Sequence, residues 1–345
     1  MNERPRATIE DVAKYAGVST ATVSRVMNQS GKVAAKTARK VEMAMATLKY
    51  VPSATAQGLA RHKTNTLGVV MPSFGTPFLL ALLQGISQGS YDAGLSLLVH
   101  AQYRPNAFQA GVSCPIGEHN IDGLIIFSGT VDEALLLYLY ERRFPTVLLY
   151  QRAPAIAPVP SLLIDNYGGS YAAVEHLILH CRRRRIAFLC GPPGNGDAQD
   201  RHAGYRAALD AYHIALDPML IGSGDFSEHR AEATVSQWLA DGVTFDAIYT
   251  GDDNAAVGAI RALQAAGHRV PHDVAVVGFN DDDLSHLPLP PLTTVRAPTI
   301  RMGYSAIHHL VQMMAGKGVE QLVTLPTALV IRDSCGSRNS VDCNI

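Results

Sequence analysis

The stretch TIEDVAKYAGVSTATVSRVMN, residues 8–28, predicts two short helices joined by a tight turn. The apolar residues of the first helix recur at the spacing of a single helical face, and they are Ile9, Val12, Ala13 and Ala16. Thr8 and Asp11 have the spacing of a capping box at the start of this helix. Gly17 then offers the left-handed conformation in which chains commonly leave a helix. The first helix is therefore predicted to begin just after Thr8 and to end at Gly17.

The second helix of this stretch is predicted to have an apolar face and an open face. Ser19 stands where an N-cap is expected. The inward residues are Val23, Val26 and Met27, and the outward residues are Thr20, Ala21, Ser24, Arg25 and Asn28. Such a pair favours a helix–turn–helix, in which the second helix enters the DNA major groove. A helical hairpin of an ordinary globular protein is the alternative that this stretch alone leaves open.

A third helix is predicted over residues 34–48, where Val41, Met45 and Leu48 continue an apolar stripe that can close a three-helix core. Pro52 ends this helix, because the residue before a proline is pushed out of the α region. The next segment runs from Ser53 to Arg61. About eight residues are too few for a helix that is stable alone in water. The segment is therefore either a linker or a piece that folds on binding.

The charges of the chain are distributed unevenly, although the formal net charge is only −1. Residues 1–65 contain eleven Lys and Arg residues against four Asp and Glu residues, a net charge of +7, and the remaining residues carry −8. A basic head on an acidic body is expected of a module that binds phosphate groups. A solvated helical face, the ordinary alternative, would not predict this asymmetry.

The cysteines and the amino-terminal sequence indicate the cellular compartment of the protein. The five cysteines are Cys114, Cys181, Cys190, Cys335 and Cys343. They form no CxxC pair and no zinc-site spacing, so the sequence predicts reduced thiols, no metal and no cofactor. The amino terminus lacks an apolar signal core, and no apolar run reaches transmembrane length. We therefore expect a cytoplasmic protein without a membrane partner.

From Thr66 onward, short apolar runs alternate with helical patterns, which favours parallel sheets covered by helices on both faces. The predicted strands are Leu67–Met71, Leu95–His100, Gly123–Phe127, Val147–Tyr150, Leu162–Ile164, Ile186–Cys190, Ala247–Thr250 and Val274–Gly278. Ligands of such sheets bind at the carboxyl ends of the strands. We therefore expect any small-molecule site at that edge.

These motifs together resemble the lactose/galactose-repressor (LacI-type) family of bacterial transcription regulators. The matching residues are DVAKYAGVSTATVSRVMN at 11–28, Lys36 to Leu48 with Tyr50-x-Pro52, AQGL at 56–59, NTLGVV at 65–70, IDGLI at 121–125, Asp165-Asn166, Gly191-Pro192, Arg201-x-x-Gly204-Tyr205, VGFND at 277–281, PLTTV at 291–295 and Arg332-x-Ser334. The amino-terminal block is highly specific. The later pieces are individually weak, but they occur in the family's order and extend the resemblance to Ser334.

The resemblance implies a DNA-binding role for nine residues: Thr8, Ser19, Thr20, Ala21, Ser24, Arg25, Asn28, Ala56 and Leu59. Thr20 and Ala21 match the family's main specificity positions. Arg25 can donate two hydrogen bonds to guanine, although contact with phosphate alone is the alternative. Leu59 matches an apolar wedge that enters the minor groove and bends the duplex, the alternative being a small core leucine. Thr8, Ser19 and Ser24 are expected to position the DNA backbone.

The resemblance also implies an effector pocket, lined by Phe78, Tyr150, Arg201, Phe226, Asp252 and Asn280. Arg201 matches the family's anchoring arginine, whose planar fork can clamp hydroxyls or a carboxylate. A surface arginine paired with an acid is the alternative. Asp252 stands where the family usually has asparagine, and an aspartate there would select ligand groups that donate hydrogen bonds. For the three aromatic residues, a place in the core is an equally good interpretation.

The predicted fold class is an N-terminal all-α helix–turn–helix DNA-binding domain followed by an α/β, two-lobed effector domain like a periplasmic binding protein. We expect a headpiece at 1–51, a hinge at 52–64 and an effector-binding and dimerisation domain at 65–345. Its lobe 1 would span about 65–161 and 297–326, and its lobe 2 about 164–291 and 328–345. The chain would cross between lobes near Ser161–Asp165, Pro290–Pro298 and Leu325–Leu329.

The function that the resemblance implies is that of a ligand-responsive transcription regulator in the bacterial cytoplasm, associated with the nucleoid. It would repress carbohydrate-metabolism genes as a homodimer on a palindromic double-stranded DNA operator, with a sugar as the favoured effector. No catalytic residues are predicted, because no nucleophile–base pair is recognisable. A sugar-binding protein without DNA function is the alternative. Repression or activation, and induction or co-repression, stay open from the sequence.

Overall fold

The computed structural model describes residues 7–27, 33–50, 63–101, 116–117, 119–283 and 290–337. The chain divides into two compact units. The first comprises Met1–Thr66 with Pro115–Asp122, and the second comprises Leu67–Cys114 with Gly123–Ile345. In the described residues, no helix is both long enough and apolar enough to cross a membrane.

Three helices form the core of the first unit: α1 (Ile9–Ala16), α2 (Thr20–Met27) and α3 (Ala35–Leu48). The predicted capping box is confirmed, because the Asp11 amide donates to Thr8 Oγ1 at 3.3 Å and the Thr8 amide donates to Asp11 Oδ2 at 2.9 Å. Gly17 ends α1 in the left-handed region, with φ 66°. The turn between α1 and α2 therefore follows from the residues that the sequence singles out.

The three helices pack on a small apolar core. Its buried residues are Val12, Ala13, Ala16, Val23, Val41 and Ala44, with Ile9, Val18, Val26, Met27, Met45, Leu48 and Tyr50 packed around them. α3 ends before the predicted proline stop, because Lys49 already adopts a left-handed conformation with φ 48°. The apolar sides of α1 and α2 are thus used inside the unit, and the opposite side of α2 is left open.

The second unit contains two six-stranded sheets. In chain order its strands are β1 (Thr66–Met71), β2 (Ser96–Ala101), β3 (Gly123–Phe127), β4 (Thr146–Leu149), β5 (Ser161–Ile164), β6 (Ile186–Cys190), β7 (Ile221–Ser223), β8 (Ala247–Thr250), β9 (Ala275–Asn280), β10 (Thr293–Arg296), β11 (Leu322–Leu325) and β12 (Ala328–Val330). The first sheet has the order β11-β5-β4-β3-β1-β2, and the second has the order β12-β10-β9-β8-β6-β7. Within the second sheet, β12 is antiparallel to β10.

Among the described residues, seven further helices cover the sheets: α4 (Pro77–Asp92), α5 (Glu133–Glu141), α6 (Asn166–Leu179), α7 (Gly196–Ala211), α8 (Glu228–Ala240), α9 (Asp253–Ala265) and α10 (Thr299–Met314). In β6, Ile186 and Phe188 join a core that includes α6 and α7, whereas Ala187 and Leu189 join a core that includes α8 and α9. Successive residues of a strand point to opposite faces, so helices cover both faces of the second sheet. The predicted α/β architecture is confirmed.

The chain crosses between the two sheets three times. It leaves the first sheet after Ile164, returns after Arg296, and leaves again between Leu325 and Ala328. The crossing segments touch each other, because the Asp165 amide donates to the Leu325 carbonyl at 2.9 Å and Thr327 Oγ1 donates to the Asp165 carbonyl at 3.0 Å. The two lobes are therefore joined by crossing segments that are hydrogen-bonded to each other.

The eight strands predicted from the sequence are present; three have the predicted bounds, and the ends of the others differ by one or two residues. Four further strands were not predicted, namely β7, β10, β11 and β12. They are three or four residues long. These runs are partly exposed or rich in polar residues, so they lack the continuous buried apolar pattern of β4, β5 and β8, which are about as short. Pairing with neighbouring strands stabilises them.

Candidate functional site

The open face of α2 carries the residues that the sequence assigns to base recognition. Thr20, Ala21 and Arg25 are exposed, and Ser24 is half-buried. Val23 on the opposite face is fully buried. The helix can therefore offer a fork of guanidinium donors and two small side chains to a groove without losing its packing.

The hydroxyls of Thr8 and Ser19 serve as helix caps. The Thr22 amide donates to Ser19 Oγ at 3.2 Å, and the Ser19 and Thr22 hydroxyls lie 3.0 Å apart. Contacts with phosphate would use the lone pairs and donors that these caps leave over, together with the backbone amides at the helix starts. The other predicted DNA-contacting residues, Asn28, Ala56 and Leu59, lie outside the described residues.

In the second unit, Arg201 occupies the centre of the candidate effector site. It is 3 % exposed on α7, and its Nε donates to Asn166 Oδ1 at 2.7 Å. Its Nη1 donates to the Gly251 carbonyl. The guanidinium lies 3.7 Å from the centre of the Phe279 ring and 5.6 Å from that of Phe226. The predicted alternative of a surface arginine is therefore wrong, since this side chain is buried and oriented from three sides.

Asn166 and Asp197 extend the network around Arg201. The Asn166 amide group donates to Asp197 Oδ1 at 2.8 Å while its oxygen accepts from Arg201. Burial raises the pKa of Asp197 to about 6, against the lowering effect of the Arg201 charge. Asn166 begins α6 directly after the first crossing between the lobes. Asn166 thereby connects the first crossing segment to Arg201.

Two of the predicted aromatic residues meet at the first sheet. The rings of Phe78 on α4 and Tyr150 after β4 lie 5.1 Å apart, edge to face, and Phe127 lies 5.3 Å from Tyr150. Tyr150 is 2 % exposed, and burial raises the pKa of its hydroxyl. Thr299 lies near enough to lower that pKa in part, but no described residue makes a hydrogen bond of ordinary geometry with the Tyr150 hydroxyl. The aromatic group is thus partly core and carries one unused polar end.

Phe226 lies against the glycine-rich loop after β6. A side chain at Gly191 would collide with the Phe226 ring and with Ala198, so only glycine fits there. Phe226 itself has a left-handed backbone, with φ 55°, and is half-buried. The loop GPPGNG, which lacks the residues of a phosphate-binding P-loop, therefore serves to let an aromatic ring approach Arg201.

Asp252 and Asn280 follow neighbouring strands of the second sheet. Asp252 caps α9, since its carboxylate accepts from the Ala255 amide at 2.9 Å and from Asn254 Nδ2 at 3.0 Å. Burial raises the pKa of Asp252. Asn280 ends β9 with φ 119°. Both residues therefore lie at the strand ends where the sequence places them. The capping of α9 already uses part of the hydrogen-bonding capacity of the Asp252 carboxylate.

Asp282 is a site residue that the sequence analysis missed. Burial first, and then the negative charge of Asp252, raise the pKa of Asp282 to about 7, while the charge of Arg201 opposes this shift. Its neighbour Asp281 is paired with Arg296 and Arg332, each at 2.6 Å. The run of three aspartates at 281–283 gives no sign of these different roles, because only the folded chain brings arginines to Asp281 and leaves Asp282 Oδ2 without a partner among the described residues.

Several buried polar atoms at these strand ends have no hydrogen-bond partner within the described part of the chain. They are the Tyr150 hydroxyl, Asn280 Oδ1, Asp282 Oδ2 and Asp225 Oδ1. The charges of Arg201, Asp197 and Asp282 all act on Tyr150, so residues of both sheets converge here. Buried polar atoms are costly when unpaired. The arrangement is therefore suited to a ligand that brings several hydrogen-bonding groups.

Asn280 and Asp282 also line part of a separate cavity of about 890 Å³. Its walls are formed mainly by exposed parts of α4 and α10, which pack against each other. Leu80 of α4 is 55 % exposed, and Ile300 of α10 is 48 % exposed. Arg201 and Phe226 do not line this cavity, so it is an apolar surface groove beside the candidate effector site.

Comparison with known proteins agrees with both units. The profile described as bacterial regulatory proteins, lacI family, matches residues 8–53, and that of a periplasmic binding protein-like domain matches residues 174–335. The HTH-type transcriptional regulator CelR of Thermobifida fusca is 33 % identical over 343 residues, covering 97 % of this chain and 100 % of CelR.

Two solved structures extend this likeness. The complex of the transcriptional regulator CelR with cellobiose superposes with a TM-score of 0.69 and 30 % identity, covering 95 % of this chain and 100 % of that one. The lac repressor dimer bound to operator and the anti-inducer ONPF superposes with a TM-score of 0.80 and 31 % identity, covering 95 % and 99 %.

Proposed function

Because this chain belongs to the LacI family of bacterial regulatory proteins, we propose that it is a ligand-responsive transcription regulator that represses carbohydrate-metabolism genes. The open face of α2, on a segment with a net charge of +7, supports the DNA-binding role. The family consists of regulators, so we assign no enzymatic activity. The proposed place of action is the operator DNA in the bacterial cytoplasm.

We propose that the operator is palindromic and that two copies of the chain bind it. A two-fold dimer presents two identical recognition helices and so requires two related half-sites. The exposed apolar residues of α4 and α10, including Leu80 and Ile300, offer a surface for a second copy. The related lac repressor structure is a dimer on its operator.

The domain boundaries of this proposal are those expected from the sequence. Residues 1–51 form the DNA-binding headpiece, 52–64 the hinge and 65–345 the effector-binding and dimerisation domain. Ala56 and Leu59 of the hinge are proposed to contact the minor groove, with Leu59 as the wedge. Leu59→Ala should then keep the dimer and the effector affinity, but reduce both operator bending and operator affinity.

We propose a neutral, hydroxyl-rich effector, such as a sugar or a short oligosaccharide. The unpartnered polar atoms of Tyr150, Asn280 and Asp282 carry this proposal, because sugar hydroxyls both donate and accept. Phe78 and Phe226 supply apolar surfaces for the faces of sugar rings. An anionic ligand fits less well, because Arg201 would have to offset its charge beside the buried Asp252 and the half-buried Asp197 and Asp282.

The effector is proposed to act through the angle between the lobes. A ligand that touches residues of both sheets binds one lobe arrangement more tightly than another and shifts the population toward it. The crossing segments near Asp165 and Thr327 are the part of the chain about which the lobes would rotate. The arrangement of two DNA-binding heads in a dimer would change as a result.

DNA binding is tested by selection of sequences from a random double-stranded library with the purified full chain. We expect recovered sites with two-fold symmetry and a shift of such a site in gel electrophoresis. Recovery of no enriched sequence, with sugar binding intact, would favour the alternative of a sugar-binding protein without DNA function.

Effector class is tested by a thermal-shift screen of neutral sugars, organic acids and nucleobases. We expect a sugar to stabilise the protein, Arg201→Ala to abolish that shift, and Arg206→Ala, an exposed arginine on the same helix, to leave it unchanged. Stabilisation by an acid or a nucleobase and by no sugar would contradict the effector class. An unchanged shift in Arg201→Ala would contradict the site.

A further inference from the structure

Three side chains with metal-binding atoms meet in the second unit, among residues that the effector site does not use. They are His176, Cys181 and Cys335, and their donor atoms all lie within 4.8 Å of one another. Cys335 Sγ lies 3.5 Å from His176 Nε2. Two thiols and an imidazole are the usual ligands of zinc and of other metals that prefer sulfur.

The cluster is held by regular structure. His176 lies in the last turn of α6 and is 5 % exposed, and the Cys181 amide donates to the His176 carbonyl at 3.2 Å. This bond fixes the chain just after the helix, so His176 and Cys181 stay about one turn apart. Two of the three ligands are therefore placed by one helix end.

Cys335 is placed by the short helix Asp333–Cys335, and its side chain is fully buried. Its neighbour Ser334 anchors this turn, since Ser334 Oγ donates to the Val276 carbonyl at 2.7 Å and accepts from the Thr293 amide at 2.8 Å. The third ligand is thus fixed on β9 and β10. Ligands held on packed elements are preorganised for binding.

The distance between Cys335 and His176 fits one edge of a tetrahedral ion. With zinc–sulfur and zinc–nitrogen distances of about 2.3 and 2.05 Å, a sulfur and a nitrogen ligand lie about 3.6 Å apart. The separation between Cys335 and His176 matches this edge. Two thiolates and a neutral imidazole carry a charge of about −2, which a divalent ion neutralises in a buried setting.

We propose that His176, Cys181 and Cys335 form a binding site for a thiophilic metal ion, with Zn²⁺ as the best fit. Three protein ligands leave a fourth position for water or another small ligand. Cys181 is half-buried, which gives the ion a route from solvent. Bound metal would link the end of α6 to the short helix Asp333–Cys335, and so connect an early and a late part of the chain within the second lobe.

The test uses the full chain, purified without a histidine tag and kept reduced. Zn²⁺ is titrated in competition with a chromophoric chelator, and Co²⁺ is added separately for spectroscopy. We expect one ion per chain, sulfur-to-cobalt charge transfer and the strong d–d bands of a tetrahedral site. Cys181→Ser, at a half-buried position, should lower zinc affinity by more than about 10-fold, as should His176→Gln, since even outer-shell changes cost 10–100-fold.

The matched control keeps only the two cysteines of the cluster. A variant with Cys114, Cys190 and Cys343 all changed to Ser should bind one Co²⁺ with an unchanged spectrum. Loss of binding in this control, with retention in Cys181→Ser, would overturn the proposal.

A second outcome would also overturn it. In it, the reduced protein takes up no metal, while mild oxidation with peroxide removes two titratable thiols and links Cys181 to Cys335. The pair would then be a disulfide couple and not a metal site. Neither result depends on operator or effector binding, so the metal site is tested independently of the proposed function.

Discussion

At the level of single residues, Arg201 is held in one orientation within the candidate effector site. Asn166, the Gly251 carbonyl and the Phe279 ring fix its guanidinium from three directions. Donors that are already oriented lose little side-chain entropy when they bind. The remaining donors of Arg201 can therefore contribute more of their hydrogen-bond energy to the ligand.

Asp282 should make both stability and effector affinity depend on pH. Its pKa rises from the ordinary 3.8 to about 7, so the folded protein holds a proton over this range that the unfolded chain has lost. The free energy of unfolding therefore falls as the pH rises from 3.8 to about 7. Effector affinity should rise over the upper part of that range, because ligand hydroxyls donate to the ionised carboxylate.

The variant that tests this is Asp282→Asn, which removes the titrating group and keeps its shape. We expect a higher melting temperature than the parent at pH 8, a weaker effector affinity there, and a flatter pH dependence of both. Calorimetry from pH 5 to about 8 measures these quantities. A variant that follows the parent at every pH would show that Asp282 does not control the site.

Arg25 should read a base and not only the DNA backbone. Its side chain is exposed on the open face of α2, and a bidentate contact with guanine is worth ~1–3 kcal/mol of discrimination. Arg25→Lys keeps the charge but loses the fork, so it should relax the preference at one base pair of each half-site. Equal weakening on all sequences, measured with operator variants, would assign Arg25 to phosphate contact.

At the level of elements, the turn between α1 and α2 depends on one backbone conformation. Gly17 has φ 66°, and a side chain there would touch no other atom, so the cost of substitution lies in the backbone alone. For an ordinary residue this conformation costs about 1–2 kcal/mol. The angle between the two helices therefore depends on a glycine that makes no side-chain contact.

Gly17→Ala should lower operator affinity by disturbing this turn, while effector binding stays unchanged. The matched control is Gly267→Ala, since Gly267 has φ 84° and equally open surroundings in the second unit. Both changes carry the same kind of backbone cost, but only the first affects the recognition helix. Equal losses of operator affinity in the two variants would contradict the prediction.

The elements also show what the sequence could predict. The capping box at Thr8, the glycine exit and the long buried strands follow from local patterns, and the structure contains them. The strands β10 and β11 do not, because β10 contains three polar residues and β11 is buried at only one of its four positions. Neither shows a buried apolar run, and pairing with other strands stabilises both. Predictions succeed where the cause of a structure lies within a few neighbouring residues.

At the level of the whole molecule, the charge asymmetry should separate the two binding activities. Operator affinity should fall with salt, at a log–log slope of about −0.9 per phosphate contacted, because bound cations are released from DNA. Affinity for a neutral sugar should hardly change over the same range. Titrations of both ligands at several salt concentrations test this, and a salt-independent operator affinity would contradict the role of the basic head.

Only some residues of the candidate site could be predicted from the sequence, because several of its contacts join residues that are far apart in the chain. Arg201 and Asn280 lie in motifs shared with the family, whereas Asp252 stands at a family position where asparagine is usual. Arg201 and Asp252 lie within reach of each other's charge. Asn166 and Asp282 gained their roles from contacts across the fold. His176 and Cys335 are 159 residues apart in sequence, so no spacing pattern could reveal their contact.

The crossing of the chain between sheets has a consequence for synthesis on the ribosome. Ser161 of β5 pairs with Leu322 of β11, so the first sheet cannot be completed until the last part of the chain has emerged. Strands β6, β8 and β9 of the second sheet can pair much earlier. During translation, β5 therefore presents a bare apolar edge for the time that about 160 residues take to be made. We expect the nascent protein to depend on chaperones during this interval.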